Sequence, residues 1–174
     1  MIIQSALPIP LPYSTGVYQS VMKIGIISDT HATNPAACSV PAWIVEAFAD
    51  VNLIVHAGDV ERPEYLQALK NIAPVCAVRG NCDRAISTPE SISVEIGCGL
   101  LTAAHRAPVA RQALSSQSRV MVYGHTHISL IHDEGNLLVI NPGSPTLPRG
   151  GLPASVVVLE VRGDELFAEL KVQP

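Results

Sequence analysis

From Lys23 onward the chain alternates short apolar runs with amphipathic segments. The runs "KIGIIS" (23–28), "VNLIVHAG" (51–58) and "PVCAVRG" (74–80) are brief and rich in β-branched residues, the pattern of buried strands. Between them, "PAWIVEAFAD" (41–50) and "RPEYLQALKNIA" (62–73) read as helices, each opened by a proline whose fixed φ suits a first turn. This β-α-β-α-β rhythm predicts a parallel sheet with crossover helices. The second half has another rhythm. "SISVEIG" and "LLTAAH" pair around "CG", and "APVARQALSSQ" forms a short helix. "RVMVYG", "ISLIHD", "NLLVIN", "ASVVVLEV" and "ELFAELKV" are strands parted by turn signals such as "DEGN" and "VRGDE". Parallel and antiparallel pieces therefore mix. No internal repeat, low-complexity tract or linker follows residue 22, which makes residues 22–174 a single domain.

Composition narrows the class. The chain has 174 residues, 48% hydrophobic and 15% charged, with a formal net charge of −4. That is enough for one domain with a real core. No Lys/Arg run signals a nucleic-acid groove or an anionic membrane surface, and no apolar run is long enough to span a bilayer. Cys38, Cys76, Cys82 and Cys98 form no C-x-x-C pair, so they read as reduced thiols of a cytoplasmic protein. The first stretch, "MIIQSALPIPLPYSTGVYQSV", lacks a basic n-region, and Pro8, Pro10 and Pro12 interrupt any apolar helix. Residues 1–21 are expected to be a loosely held extension, or Met22 to be the natural start.

Polar chemistry collects where the strands end. The first strand is followed by Asp29 and His31, the second by Asp59, and the third by Asn81, Cys82 and Asp83. Later strands end at His105 and at His125 and His127. Open parallel sheets bind ligands outside the carboxyl ends of their strands, so these loops are expected to converge. Residues two apart in extended backbone point to the same side, which would let Asp29/His31 and His125/His127 each offer two groups to one site. Gly58, Gly80 and Gly124 would permit the tight turns that aim them. Each residue alone has an ordinary explanation: Asp29 as an N-cap, Asp59 or Asn81 as turn residues, His105 as a satisfied histidine. Together, carboxylate, imidazole and amide oxygen suit a divalent first-row ion. Two such ions would clamp a phosphate and activate a water between them. No Ser/His/Asp set stands at a strand–helix turn to suggest serine chemistry.

In this order, "DTH" (29–31), "GD" (58–59), "GNCD" (80–83), His105 and "GHTH" (124–127) resemble the calcineurin-like metallophosphoesterase superfamily. "NPGS" (141–144) and "PRGG" (148–151) resemble its small single-domain prokaryotic phosphodiesterase branch. The resemblance spans residues 22–172 and implies an α/β fold, a four-layer αββα sandwich of two mixed sheets flanked by helices. It implies that Asp29, His31, Asp59 and His127 hold one metal, and that Asp59, Asn81, His105 and His125 hold a second, with Asp59 shared. The ions would be Mn²⁺ first, with Fe²⁺, Ni²⁺, Co²⁺ or Zn²⁺ as alternatives. The activity implied is hydrolysis of a small phosphodiester by in-line attack of a metal-bridging hydroxide, with Asp59, Asn81 and His105 acting through the metals and phosphate.

Two positions depart from the family pattern. Cys82 stands where many members have a histidine that assists the leaving group. A thiol of ordinary pKa is a mediocre proton donor, so packing is the first reading of Cys82 and catalysis the second. Arg106 follows His105 where glycine is usual, and is unsuited to a positive φ. It reads as a solvated arginine, with contact to a phosphate oxygen as the alternative. His56 is expected to be a buried, hydrogen-bonded histidine of the second strand, His132 to be exposed, and Asp83, Asn141 and Ser144 to brace the site. A non-catalytic interaction scaffold of the same fold, as in a eukaryotic retromer subunit with a degraded metal site, is the rival reading. A phosphomonoesterase or nuclease is the other. The expected partner is a small phosphoester, with a homodimer or higher homo-oligomer through exposed strand edges.

Overall fold

The computed structural model describes residues 21–174. The expected N-terminal extension falls outside them except for Val21. Ten strands and three helices follow one another as β1 (Met22–Ile27), α1 (Ala42–Ala47), β2 (Leu53–His56), α2 (Pro63–Lys70), β3 (Val75–Ala77), β4 (Ser91–Glu95), β5 (Leu100–Ala104), α3 (Ala107–Gln112), β6 (Ser118–Val122), β7 (Leu130–Asp133), β8 (Leu138–Asn141), β9 (Ser155–Arg162) and β10 (Glu165–Val172). A short 3-10 turn, Pro35–Cys38, precedes α1 and was not expected from the sequence; Asn34 caps it by accepting the Ala37 N–H at 3.1 Å.

The strands form two five-stranded sheets, ordered β10-β9-β1-β2-β3 and β4-β5-β6-β8-β7. In the first sheet β1, β2 and β3 run parallel, and β9 and β10 are added antiparallel beside β1. In the second, β5, β6 and β8 are parallel, with β4 and β7 antiparallel at its edges. Mixed strand directions were expected. That the last two strands return to the first sheet was not, since an alternating strand carries no record of its partner.

Side-chain alternation sets the layers. In β1, Ile24 and Ile26 face the other sheet, while Ile27 faces the helices. Ile24, Ile26 and Val55 meet Leu101, Ala103, Val120, Val122 and Ile140 between the sheets. Ile44 and Phe48 of the α1 segment and Tyr65, Leu66 and Leu69 of α2 cover the outer face of the first sheet. Ala110 of α3 covers the second sheet over Ala104, Met121 and Val139. The result is the expected four-layer sandwich, with a single short helix as its second outer layer. Each fully buried Ile, Leu or Val contributes about 1.5–3 kcal/mol. Gly25 allows α1 to sit close, because a Cβ there would lie 2.9 Å from the Phe48 ring.

His56 closes β2 and is fully buried. Gly58 N–H donates to its Nδ1 at 3.1 Å, which leaves Nε2–H to donate to Thr30 Oγ1 at 3.1 Å. Burial, the largest influence, lowers its pKa from 6.5 to about 4. An unfolded His56 therefore takes up a proton on acidification before the folded one does. Its contribution is complete above pH 6.5 and is lost as pH falls toward about 4, by about 3 kcal/mol. Urea unfolding of wild type and His56→Gln across this window should show a flatter pH dependence in the variant.

Candidate metal centre

Three of the strands that feed the site, β1, β2 and β6, stop one or two residues short of their polar groups, and the chain then turns sharply. β1 ends at Ile27, β2 at His56 and β6 at Val122. Beyond them Asp29, His31, Asp59, Glu61, His125 and His127 have φ between 44° and 70°. These are the six non-glycine residues with positive φ among the described residues, and all lie at or beside the site. Left-handed backbone costs a non-glycine residue about 1–3 kcal/mol and persists where surrounding structure enforces it. The expectation of extended backbone at Asp29/His31 and His125/His127 is thus corrected. Both members of each pair instead have left-handed backbone.

The glycines act differently from expectation as well. Gly58 has φ of 92°, as a turn requires. Gly80 and Gly124 do not have positive φ and serve close approach instead. A Cβ on Gly80 would lie 2.1 Å from Asp59 Oδ1, and one on Gly124 would lie 1.8 Å from Ser28 Oγ.

Asp83 locks the second and third loops together. Its carboxylate accepts N–H groups from Asp59 at 3.0 Å, Val60 at 2.7 Å, Glu61 at 2.7 Å and Gly80 at 2.7 Å. On the other side Asn141 Nδ2 donates to the Gly124 carbonyl at 3.1 Å, and Ser144 Oγ donates to the Asp29 carbonyl at 2.7 Å. All three residues brace the site, as expected.

The loops bring Asp29, His31, Asp59, His105 and His127 into touching groups, while His125 joins none of them and stands beside His105. Ligand atoms of Asp29, His31 and His127 lie within 4.8 Å of one another, as do those of Asp29, Asp59 and His105. Asp59 Oδ2 is 3.3 Å from His105 Nε2 and 3.8 Å from His31 Nε2, and so stands between the groups. Asn81 Oδ1 is 3.1 Å from His105 Nε2. The His125 ring stands edge-on to His105 with centroids 5.2 Å apart. Cys82 also approaches His31 and Asp59 within 4.8 Å.

The donor set fits cations. Asp29 is fully buried and Asp59 is 2% exposed, yet among the described residues neither pairs with a Lys or Arg. His127 Nδ1 donates to the Leu147 carbonyl at 2.6 Å and His105 Nδ1 to the Ala57 carbonyl at 2.8 Å. His31 Nδ1 stands 2.6 Å from Glu61 Oε1, where it donates to the carboxylate. With Nδ1–H so engaged, the Nε2 atom of each ring is the one turned inward. The His31 and His127 Nε2 atoms face each other at 3.3 Å, and His105 Nε2 faces two oxygens. Ring nitrogens and carboxylate oxygens converging in this way suit a cation among them, whether a proton or a metal ion.

The electrostatics agree. Burial raises the Asp29 carboxyl above its usual range, outweighing the hydrogen bond from Ser28. Burial also acts to raise Asp59, but the His105 ring and the Cys82 N–H at 2.8 Å overcome it and hold Asp59 well below the usual carboxylate range. For His105, burial opposes the charged form, and contact with Asp59 reverses that to a raised pKa. His125 is lowered, by burial first and then by His105 and Arg106. The Cys82 thiol does not have the ordinary value expected, since burial and then Asp59 push it up to about 11. It remains protonated at neutral pH.

Arg106 has φ of −106°, which accommodates an arginine without strain. His132 is exposed on β7. The sequence reading missed Glu61. Its signal was present, because Asp59-Val60-Glu61 repeats the two-residue spacing of Asp29-Thr30-His31 and His125-Thr126-His127. A carboxylate that fixes the tautomer of a metal-binding histidine typically contributes about 10–100-fold in metal affinity. Glu61→Gln should weaken Mn²⁺ binding by about tenfold in calorimetry, and Glu61→Ala by more.

Two mixed sheets that deliver aspartates, histidines and an asparagine to one edge define a protein of the two-sheet phosphoesterase class with a candidate metal centre. Residues 22–164 match the calcineurin-like phosphoesterase superfamily domain, and the chain belongs to that superfamily. It is 40% identical to a probable metallophosphoesterase of Methanothermobacter thermautotrophicus, over 86% of this chain and 91% of the relative. It is 32% identical to phosphodiesterase YfcE of Escherichia coli K12, over 88% of this chain and the whole of that protein. The solved structure of E. coli YfcE, described as a phosphoesterase, superposes with a TM-score of 0.63 at 30% identity, covering 79% of this chain and 88% of that one. Vps29 of Chaetomium thermophilum superposes with a TM-score of 0.70 at 17% identity, over 88% and 98% of the two chains, a likeness of fold alone. Among the described residues no helix is long and apolar enough to cross a membrane.

Proposed function

We propose that the chain is a dinuclear metal-dependent phosphodiesterase acting on a small phosphodiester. The observation that carries this reading is the inward convergence of Nε2 atoms and buried carboxylates with Asp59 between the two groups. Asp29, His31, Asp59 and His127 would hold one ion, and Asp59, Asn81, His105 and His125 the other. Such a pair supplies neutralisation of phosphoryl charge and a water of lowered pKa. The chain's own groups set the frame. Carbonyls and Glu61 hold the imidazole tautomers, Asp83 holds Asp59 and Gly80, and Asn141 and Ser144 hold the first and last loops. Cys82 is assigned to packing beside Asp59. As a neutral thiol it also stands near enough to the site to give up a proton, and an unchanged rate in Cys82→Ala would remove that second role.

The complete donor set argues against the scaffold reading, in which the metal site decays. Mn²⁺ is the first choice because oxygen and imidazole donors are mixed without a thiolate. The four unpaired cysteines support a cytoplasmic setting. The exposed edge strand β7, carrying Leu130 and Ile131, supports a homodimer, to be read by light scattering. The test of function is hydrolysis of bis(4-nitrophenyl) phosphate by metal-stripped protein, before and after adding Mn²⁺, beside 4-nitrophenyl phosphate. Metal-restored turnover that favours the diester supports the proposal. Turnover of the monoester alone, or none with Mn²⁺, Fe²⁺, Co²⁺, Ni²⁺ or Zn²⁺, would overturn it.

A further inference from the structure

A recess of about 480 Å³ opens from the Asn81–His105 side of the centre, and Arg79, Glu90, Arg106 and Val109 also line it. Both arginines are rooted by backbone contacts. The Arg79 N–H donates to the Pro89 carbonyl at 2.8 Å, just beyond β3. Arg106 occupies the N-cap of α3, and its carbonyl accepts the Ala110 N–H at 3.0 Å. Both side chains are exposed to the recess. Arg62, Arg111 and Arg162 each pair with a glutamate. Among the described residues, Arg79 and Arg106 have no carboxylate within 4.0 Å. Of the two acids in the wall, Asp83 is committed to four backbone N–H groups. Glu90 is left as the single free negative charge against two guanidinium groups.

From this geometry we infer that Arg79 and Arg106 form a subsite for a second anionic group on the substrate, a carboxylate or a phosphate attached through the ester arm that extends along the recess. The inference rests on the phosphodiesterase reading above and narrows its substrate class to diesters bearing a further oxyanion. A guanidinium offers paired donors matched to an oxyanion, and two of them reach an enclosed charge better than one. Glu90 restricts the fit to a compact group, since a run of phosphates would bring further charge against it. The wall shared with Asn81 and His105 makes the recess continuous with the position where the scissile phosphate is expected, without coinciding with it.

The test uses three 4-nitrophenyl phosphodiesters that differ only at the end of the second ester arm, which carries a carboxamide, a carboxylate or a phosphonate. With the Mn²⁺-loaded full chain, KM for at least one charged arm should be about tenfold below that for the carboxamide arm. The ratio of charged-arm to neutral-arm KM is read within each variant, so a general loss of activity cancels. In both Arg106→Gln and Arg79→Gln this ratio should move to within about twofold of unity. A stronger preference for phosphonate assigns the group to a second phosphate, and one for carboxylate to an organic acid; either supports the subsite. Equal KM values for the three arms in the wild type would overturn it. So would a preference that survives both substitutions, or a rise in KM shared equally by all arms. Calorimetric binding of the same diesters without added metal separates this from the catalytic reading. A charged-arm preference in binding with no turnover under any metal keeps the subsite and rejects the phosphodiesterase, whereas turnover without any preference does the reverse.

Discussion

Asp59→Asn is expected to lower metal-supported diester turnover by on the order of 10³-fold or more while leaving the fold intact. Asp59 is the group that reaches both halves of the centre. Its Oδ1 accepts the Cys82 N–H at 2.8 Å, and its Oδ2 faces His105 at 3.3 Å and His31 at 3.8 Å. Asparagine matches its shape but removes the negative charge, and it can turn an amide hydrogen toward the His105 lone pair. The His105 ring and the Cys82 N–H outweigh burial and hold Asp59 below the usual carboxylate range, so its charge stabilises the metal-free fold, and the melting temperature should fall modestly while the chain stays folded. The check is metal content by elemental analysis alongside the rate. Wild-type turnover in this variant would reject a shared Asp59 ligand.

Asp83→Ala should have the largest effect on stability. The Asp83 carboxylate satisfies four backbone N–H groups, three of them from the loop after β2 and one from the loop after β3. An alanine leaves these donors without a partner in a region where Asp59, Val60 and Gly80 are buried. Each buried orphan costs about 1–3 kcal/mol, and water entering the gap recovers part of it, so the loss should be about 4–6 kcal/mol. That is a large share of a typical domain's stability. Because Asp59 and Glu61 are released together, metal affinity should fall with it. Chemical denaturation with Asp83→Asn beside Asp83→Ala separates the two parts. Asparagine keeps one acceptor oxygen and should lie between alanine and wild type. Equal stability of all three would show that the loops stand without this carboxylate.

Much of this protein was legible before any coordinates. The alternation of apolar runs located every strand to within a few residues, because burial of one or both faces writes a period into the chain that needs no partner to be read. The polar residues that end those runs were legible for a related reason. Asp29, His31, Asp59, Asn81, His105, His125 and His127 are each ordinary at a strand end, and it was their combination of carboxylate, imidazole and amide donors that pointed to a shared use. Their order also resembles one superfamily. What could not be read was the backbone that aims them. Extended geometry and left-handed geometry at alternate residues both bring side chains two apart onto one site, and only the folded loops distinguish them.

Glu61 was missed because a glutamate at a loop is ordinary until its carboxylate is seen 2.6 Å from His31 Nδ1. Gly80 and Gly124 looked like turn residues, and contact with Asp59 and Ser28 gives them another purpose. Arg79 and Arg106 stand far apart in sequence, and only the docking of the loop after β3 against the start of α3 sets them around one recess. The sequence by itself determined the strands, the main helices and the kinds of donor present, and its resemblance to a family supplied the layers. The tertiary structure decided the sheet order, the protonation-sensitive contacts and the partnership of the loops. The physical reason is that hydrophobic periodicity is a local property of the chain, whereas hydrogen bonding, burial of charge and close approach exist only between segments that folding has brought together.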